Sequence, residues 1–580
     1  MSDENLMDIS SVDALENSEG ESVETSAVLA YLKNKQGTII VPYVNAADEN
    51  ELGVVKPDNV TLQSVNGTLS VIGGGSGSGG VGIPPSNCTA LRKSVNGTEY
   101  SLKWRDPDDT VIDGFTLSTW AKTIIVRKEG SFPADVDDGD VILTNTTRNA
   151  YNTSALIDDP GEGDFYYRAF PVSANGAVNL DPHNKFGSVV YEFVINQNDS
   201  NPKTSVTYCG DNAEFTPAYM DYTKGEFNYG SWKDAFFMGL FRPCMLNPDG
   251  TVKYYLNPDD YSVQADGVTP SEIADTSQTA NAMVEVDQIW IKEENINGRI
   301  HVSIANEQIS SDYDCFTHLK PDGTYNEHYY RAIYDGSNIS NKIRSLSGQA
   351  ICKNVAGNTQ IAYAKANGTG WNVDEWNFRR LINYLLILMG KSLDTQTVFG
   401  TGRYSGGSQS SNNQLNTGTM DSRGMFYGDN ANGGVKVFYM ENWWGNIWKI
   451  TNGIIQKSGK MLYKMCEGTL DGSTTSDYND SGNGYIDSGV TNSGTITQQH
   501  LRNMTLVPHL GLVPTNTANG STSTYYCDSW WSNSSVVGFA RFGSNPHNGL
   551  SVGAFAFIVD NAVSYSAWTC GVALSYKKAS

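Results

Sequence analysis

The run Gly73–Gly82, GGGSGSGGVG, with Pro84-Pro85 behind it, limits the fold of this chain more than any other stretch. It offers almost no side chain to a core, and the prolines prevent it from continuing as a helix or an internal strand. It reads as a flexible linker over residues 73–84, dividing a short N-terminal part from a long C-terminal one. Gly75, Gly77 and Gly80 complete a formal G-x-G-x-x-G, but a dinucleotide loop must lie between a strand and a helix, and this run leads into prolines. At 580 residues the chain also exceeds a single hydrophobic core. A modular protein of about three or four units is expected.

On the N-terminal side, residues 1–25 hold eight carboxylates and no Lys or Arg, a composition that cannot collapse alone and predicts a tail that orders on docking. Val28–Leu32, within SAVLAYLKNKQG, has apolar residues at helical spacing before Gly37, which predicts a helix of two or three turns. Residues 1–37 are therefore read as an attachment and trimerisation segment. From Thr38 the pattern alternates, and Asn66-Gly67 between two alternating runs predicts a hairpin, so 38–72 reads as a β-stem element.

Beyond the linker, residues 85–197 show short alternating runs separated by turn residues, which predicts a β-sandwich with Trp104 and either Tyr166 or Tyr167 in its core. Residues 205–580 contain no further clear linker and are read as one large, loop-rich domain. Its best helix is Asn372–Met389, with Asn372 as cap, Asp374 and Glu375 in the first turn, and Gly390 as stop. Trp376, Leu381, Tyr384, Leu385 and Leu388 form its apolar stripe. A shorter helix is expected over Ser231–Leu240, with surface loops at Tyr404–Gly418 and Asp471–Thr497. The expected fold class is mainly β, with an α+β C-terminal domain.

The net charge of −23 repels a phosphate backbone, so nucleic acid is not an expected ligand. No apolar run approaches the roughly 18 residues of a membrane helix, so membrane insertion is not expected either. The opening MSDENLMDIS has neither a basic start nor an apolar core, which predicts synthesis in a cytoplasm without a secretory signal. The eight dispersed cysteines contain no C-x-x-C and read mainly as buried thiols, with Cys527 and Cys570 as the pair whose approach sequence leaves open.

Catalytic motifs are few and isolated. Gly390-Lys391-Ser392 follows a helix and has Leu385 where a phosphate loop requires glycine, and H-E-x-x-H does not occur; Gly549-Leu550-Ser551-Val552-Gly553 meets only the formal spacing of G-x-S-x-G. The acidic segment Asp471–Asp487 offers oxygen ligands for Ca²⁺ but lacks the spacing and terminal Glu of an EF-hand loop. It reads as a solvated loop, and no cofactor is expected. A glycosidase needs only two carboxylates, so polysaccharide hydrolysis stays an alternative with no assignable pair.

The C-terminal segment 525–548, YYCDSWWSNSSVVGFARFGSNPHN, concentrates Tyr, Trp and Arg among Ser and Asn, the composition of binding hot spots. The candidate ligand contacts are Tyr525, Tyr526, Asp528, Trp531, Asn533, Arg541, Phe542, Ser544, Asn545, His547, Asn548 and Tyr565. The apolar stretch Gly549–Phe557 reads as a buried strand that holds the preceding loop rigid. One member of each adjacent aromatic pair is expected to face the core.

Several stretches resemble bacteriophage tail proteins. Leu52-Gly53-Val54-Val55-Lys56-Pro57-Asp58 with Gly67-Thr68-Leu69-Ser70-Val71 is similar to a repeated element of tail-fibre stems. Lys103-Trp104-Arg105-Asp106-Pro107 and Val126-Arg127-Lys128 resemble fibronectin-type-III-like domains of such proteins. Trp376–Gly402, Val435-Lys436-Val437-Phe438 and Glu441-Asn442-Trp443-Trp444-Gly445-Asn446 resemble large tail domains of the C-type-lectin or formylglycine-generating-enzyme-like fold. Gly549–Phe557, Asn561-Ala562 and Trp568-Thr569-Cys570-Gly571-Val572 look like the end of variable proteins diversified by retroelements. The resemblance implies a virion tail-fibre or receptor-binding protein. It would be joined to tail or baseplate proteins through the N-terminus, form a homotrimer and adhere to a bacterial surface protein or glycan. A structural tail protein without a receptor role and a capsule depolymerase are the alternatives. The catalytic branch of that fold uses a closely spaced cysteine pair, whereas Cys527 and Cys570 lie 43 positions apart.

Overall fold

The computed structural model describes residues 83–112, 115–181, 184–187, 189–320, 322–408, 413–464 and 484–578, together with the backbone of four strands nearer the N-terminus. The acidic tail, most of the Gly/Ser linker and residues 471–483 of the 471–497 insertion lie outside the described residues. The protein is mainly β, as its alternating runs and turn residues predict. Residues Ser188–Ala265 and Thr269–Ser580 form one compact unit, and the chain up to Gly187 belongs to another.

Val28–Lys33 is a strand paired antiparallel with Thr38–Val44, which corrects the expected helix. The segment VLAYLK fits the period of a strand as well as that of a helix, and a run this short does not separate the two. Val60–Val65 and Thr68–Gly73 pair with Val65 opposite Thr68, so the two-residue connection falls where the Asn66-Gly67 signal puts it.

The first unit holds a four-stranded sheet, ordered Asp140–Asn145, Trp120–Glu129, Phe165–Ser173 and Lys185–Phe186. A three-stranded sheet, Leu156–Asp158, Glu99–Arg105 and Thr89–Asn96, faces it. Alternation along Glu99–Arg105 turns Tyr100, Leu102 and Trp104 inward against Ile125, Tyr167, Ala169 and Phe186. Trp104 stacks on Tyr151 at 4.7 Å and donates its indole N–H to Asp106 at 2.8 Å, so its one polar atom is satisfied inside the core. The boundary differs from the expected 197: the strand Val190–Ile195 pairs with Val206–Gly210 and Arg299–Ala305, within the second unit.

In the second unit a six-stranded sheet runs Val252–Tyr255, Phe241–Leu246, Asn281–Asp287, His328–Ala332, Leu574–Tyr576 and Trp371–Val373. The last strand of the chain thus lies inside the sheet. A second sheet is built around Trp448–Lys457, Gly538–Phe542, Phe557–Val559 and Ser529–Asn533, with Thr495–His500 at its edge. The helix Trp376–Gly390 meets both sheets: Phe378 lies 4.9 Å from Tyr329 and Trp376 lies 5.0 Å from Phe542.

All fifteen residues of this helix are buried, so it is not the one-sided helix its stripe suggests. Arg379, Arg380 and Asn383 find partners inside the unit instead of water. The helix also starts four residues later than Asn372, which belongs to the strand Trp371–Val373. Asp374 and Glu375 serve as ion-pair partners of Arg379 and Lys577 rather than as first-turn acids. Ser231–Leu240 holds two 3₁₀ turns, Gly230–Trp232 and Met238–Leu240, in place of one helix. Cys527 and Cys570 are both buried free thiols, so that pair is not a disulfide.

Candidate ligand-binding surface

The strand Gly538–Phe542 ends at Gly543, and the chain turns at once through Ser544, whose φ is 70°. Asn548 Oδ1 accepts from Ser544 Oγ at 2.9 Å and from Asn545 Nδ2 at 2.5 Å, while Asn545 Oδ1 accepts from the His547 N–H at 2.9 Å. Three side chains thereby lock a turn that presents the exposed His547. A second loop lies against it: Gly407 N–H donates to Pro546 O at 2.8 Å, and Gly549 N–H donates to Tyr404 O at 3.1 Å. A Cβ at Gly407 would sit 2.8 Å from Pro546 Cβ and 3.1 Å from Trp568 Cη2, so only glycine permits this approach.

Trp568 supplies the third side, edge-to-face with His547 at 6.5 Å, and its carbonyl accepts from Gln414 Nε2 at 2.8 Å. Asn432 Oδ1 accepts from both the Tyr404 and Ser405 N–H groups at 2.8 Å, which fixes the neighbouring loop. The result is a surface of one imidazole, one indole and several amides on a backbone held by hydrogen bonds. Such a surface meets a ligand with little ordering cost.

The twelve sequence candidates divide sharply. Tyr526, Asp528, Trp531, Arg541, Phe542, Ser544 and Asn545 are buried, so their expected exposure is corrected. Trp531 packs edge-to-face on Trp448 at 5.1 Å, and Phe542 lies 4.7 Å from Phe557. Tyr526 donates to Gln197 at 2.9 Å, and Arg541 pairs with Asp560 at 2.6 Å. Asp528 accepts from the Phe555 N–H at 2.8 Å and from Gln396 at 3.2 Å, and its burial pushes the carboxyl well above the usual range. Adjacent Trp530 and Trp531 are both buried, because both faces of their strand are covered.

The other five reach solvent at separate places. Tyr525 lies beside Arg502, and Asn533 lies opposite Thr495 of the edge strand. Tyr565 lies under the Arg541 guanidinium at 5.0 Å, while His547 and Asn548 share the locked turn. The expected strand Gly549–Phe557 is a 3₁₀ turn, Gly549–Ser551, followed by buried irregular chain; the strand proper is Phe557–Val559. Trp568, Gln414, Tyr404 and Gly407 were missed by sequence reasoning. An isolated Trp in Ser-Tyr-Ser-Ala-Trp-Thr was the one available signal.

A metal-type donor set also occurs. Glu285, Asp287 and His328 offer ligand atoms within 4.8 Å of one another. Glu285 already accepts from Tyr330 at 2.7 Å and pairs with Arg242, and Asp287 meets His328 Nδ1 at 2.8 Å. A dication would have to displace a guanidinium. The two carboxylates are 1% and 2% exposed, so a glycosidic bond cannot lie between them. No protein-family model and no curated protein matches the chain.

Proposed function

We propose that this chain is a non-enzymatic phage tail-fibre or receptor-binding protein that adheres to a bacterial surface through the His547–Trp568 surface. The observation that carries the reading is the locked turn: buried Ser544 and Asn545 brace it so that exposed His547 and partly exposed Trp568 stand ready without rearrangement. The stem-like and lectin-like sequence stretches supply the phage context. The four-plus-three strand arrangement of the first unit supports a fibronectin-III-like spacer, and the second unit is read as the lectin-like receptor-binding domain.

In this reading the N-terminal segment joins the tail or baseplate, the chain is made in the host cytoplasm and carried in the virion as a homotrimer, and no cofactor takes part. The ligand is a protein or glycan of the host envelope. The test is binding of labelled full-length protein to a panel of bacterial strains, with H547A/W568A against wild type. A central anchor is worth about 2 kcal/mol, so affinity should fall by tenfold or more. Unchanged binding by a folded double variant would move the receptor surface elsewhere, first to the Asp471–Thr497 segment.

A further inference from the structure

Three side chains of the candidate surface are tied to one short stretch of loop. The Gln414 amide bridges two of them: its Oε1 accepts from Lys353 Nζ at 3.2 Å, and its Nε2 donates to the Trp568 carbonyl at 2.8 Å. Beside it, the Asn413 carbonyl accepts from Arg403 Nε at 3.0 Å, and the Asn432 carbonyl accepts from Arg403 Nη1 at 2.9 Å. Next to Lys353 the Asn354 N–H donates to Ala567 O at 2.9 Å, which ties the segments carrying Lys353 and Trp568 a second time. A lysine, an arginine and an indole are thus gathered at one place by backbone and amide hydrogen bonds.

What these groups lack is an acid. Among the described residues the polar partners of Lys353 and Arg403 are all amide oxygens, in a chain whose formal charge is −23. Asp429, on the loop that also carries Asn432, turns its Oδ1 to the N–H groups of Ala431 and Gly433 instead. Partial burial draws the Lys353 ammonium below the usual lysine range, so a counter-charge beside it is favourable. Two committed nitrogens fix the plane of the Arg403 guanidinium, and its Nη2 has no partner among the described residues. The indole N–H of partly exposed Trp568 is equally uncommitted, and neither atom is sealed from solvent.

Resting on the reading of this surface as a receptor site, we propose that its ligand is an anionic saccharide, a sugar polymer that bears carboxylate or phosphodiester groups. Lys353 and Arg403 take the acidic group through charge-assisted hydrogen bonds, the arginine from a fixed plane and the lysine from a flexible stem. Trp568 offers an aromatic face to the C–H side of a sugar ring and an N–H to a hydroxyl. One indole among amides and two cations suits such a ligand, whereas a protein interface centres on several clustered apolar anchors. The negative charge elsewhere on the chain opposes approach only weakly, because physiological salt screens it beyond about 8 Å.

Binding of full-length protein to a bacterial strain that wild type recognises tests this. K353Q/R403Q should bind about tenfold more weakly, whereas K353R/R403K, which keeps both charges, should stay within about threefold of wild type. Raising salt from about 0.05 to about 0.5 M should weaken wild type and leave K353Q/R403Q nearly unchanged. Periodate oxidation of the cells should abolish binding and protease treatment should spare it. Carbodiimide capping of envelope carboxylates and cold hydrofluoric acid cleavage of phosphodiesters then tell the two acidic groups apart, since one of them should remove the binding. Wild-type affinity in K353Q/R403Q, equal losses in the two double variants, loss after protease, or binding that survives periodate or survives both acid-directed treatments overturns the proposal. If K353Q/R403Q binds like wild type while H547A/W568A does not, only the ligand class is wrong; if H547A/W568A also binds like wild type, the surface itself is wrong and the proposal falls with it.

Discussion

Replacing Phe542 with alanine separates the fold from the binding surface, because the sequence offers this residue as a contact and the structure places it in the core. Phe542 is 3% exposed, 5.0 Å from Trp376 and 4.7 Å from Phe557, and it already borders a cavity. Truncation removes roughly 100 Å³ of side chain, and a cavity cost of about 24 cal/mol per Å³ gives about 2.4 kcal/mol if the walls do not relax. The lost transfer energy of the ring adds about 2 kcal/mol. The expected loss is therefore about 4 kcal/mol, against under about 0.5 kcal/mol for His547→Ala at the surface. Urea unfolding followed by tryptophan fluorescence measures both variants. Binding to cells, scaled to the folded fraction, should stay near wild type for F542A and fall for H547A. A loss below about 1 kcal/mol for F542A, or a binding defect with stability intact, would refute the assignment of Phe542 to the core.

Three further outcomes follow from the same structure. Asp528 has its carboxyl pKa raised by burial, so its contribution to stability is complete below its unfolded pKa, about 4, and is lost as pH rises toward the folded value, at about 1.4 kcal/mol per unit. D528N should therefore gain on wild type in Tm steadily above pH 4, and parallel pH profiles would contradict this. Gly428 lacks a positive φ, but a Cβ there would lie 1.7 Å from the Phe399 carbonyl oxygen, so G428A should lose about 1–3 kcal/mol by calorimetry; an unchanged Tm would falsify that close approach. Light scattering of the intact chain should give three times 63.2 kDa, and a monomer at micromolar concentration would remove the trimer.

The parts of the fold legible in sequence were those written in short-range signals. The alternating runs put Trp104 and one of Tyr166 and Tyr167 in the sandwich core, where Trp104 and Tyr167 are buried, and Asn66-Gly67 marked a hairpin. What failed depended on distant partners. Arg379 falls opposite the apolar stripe on a helical wheel and Arg380 interrupts it, and the carboxylates that make their burial tolerable are Asp374, just before the helix, and the remote Glu293 and Asp314. The same applies to the candidate surface. Tyr, Trp and Arg serve cores and binding sites alike, so composition drew attention to 525–548 but could not tell Trp531, packed on Trp448, from Trp568 beside His547. Gly407 and Gln414 come from a loop more than a hundred residues away, and no local pattern joins them to Pro546 or Trp568.

Adhesion without turnover is the central claim, and one suspension of host cells tests it. Cell-bound protein and soluble saccharide are followed together over time as labelled full-length chain is added. The account predicts saturable binding that reaches a plateau while released saccharide stays at the level of untreated cells. Saccharide that accumulates in proportion to time and protein, or no cell-bound protein on any strain of the panel, would contradict it.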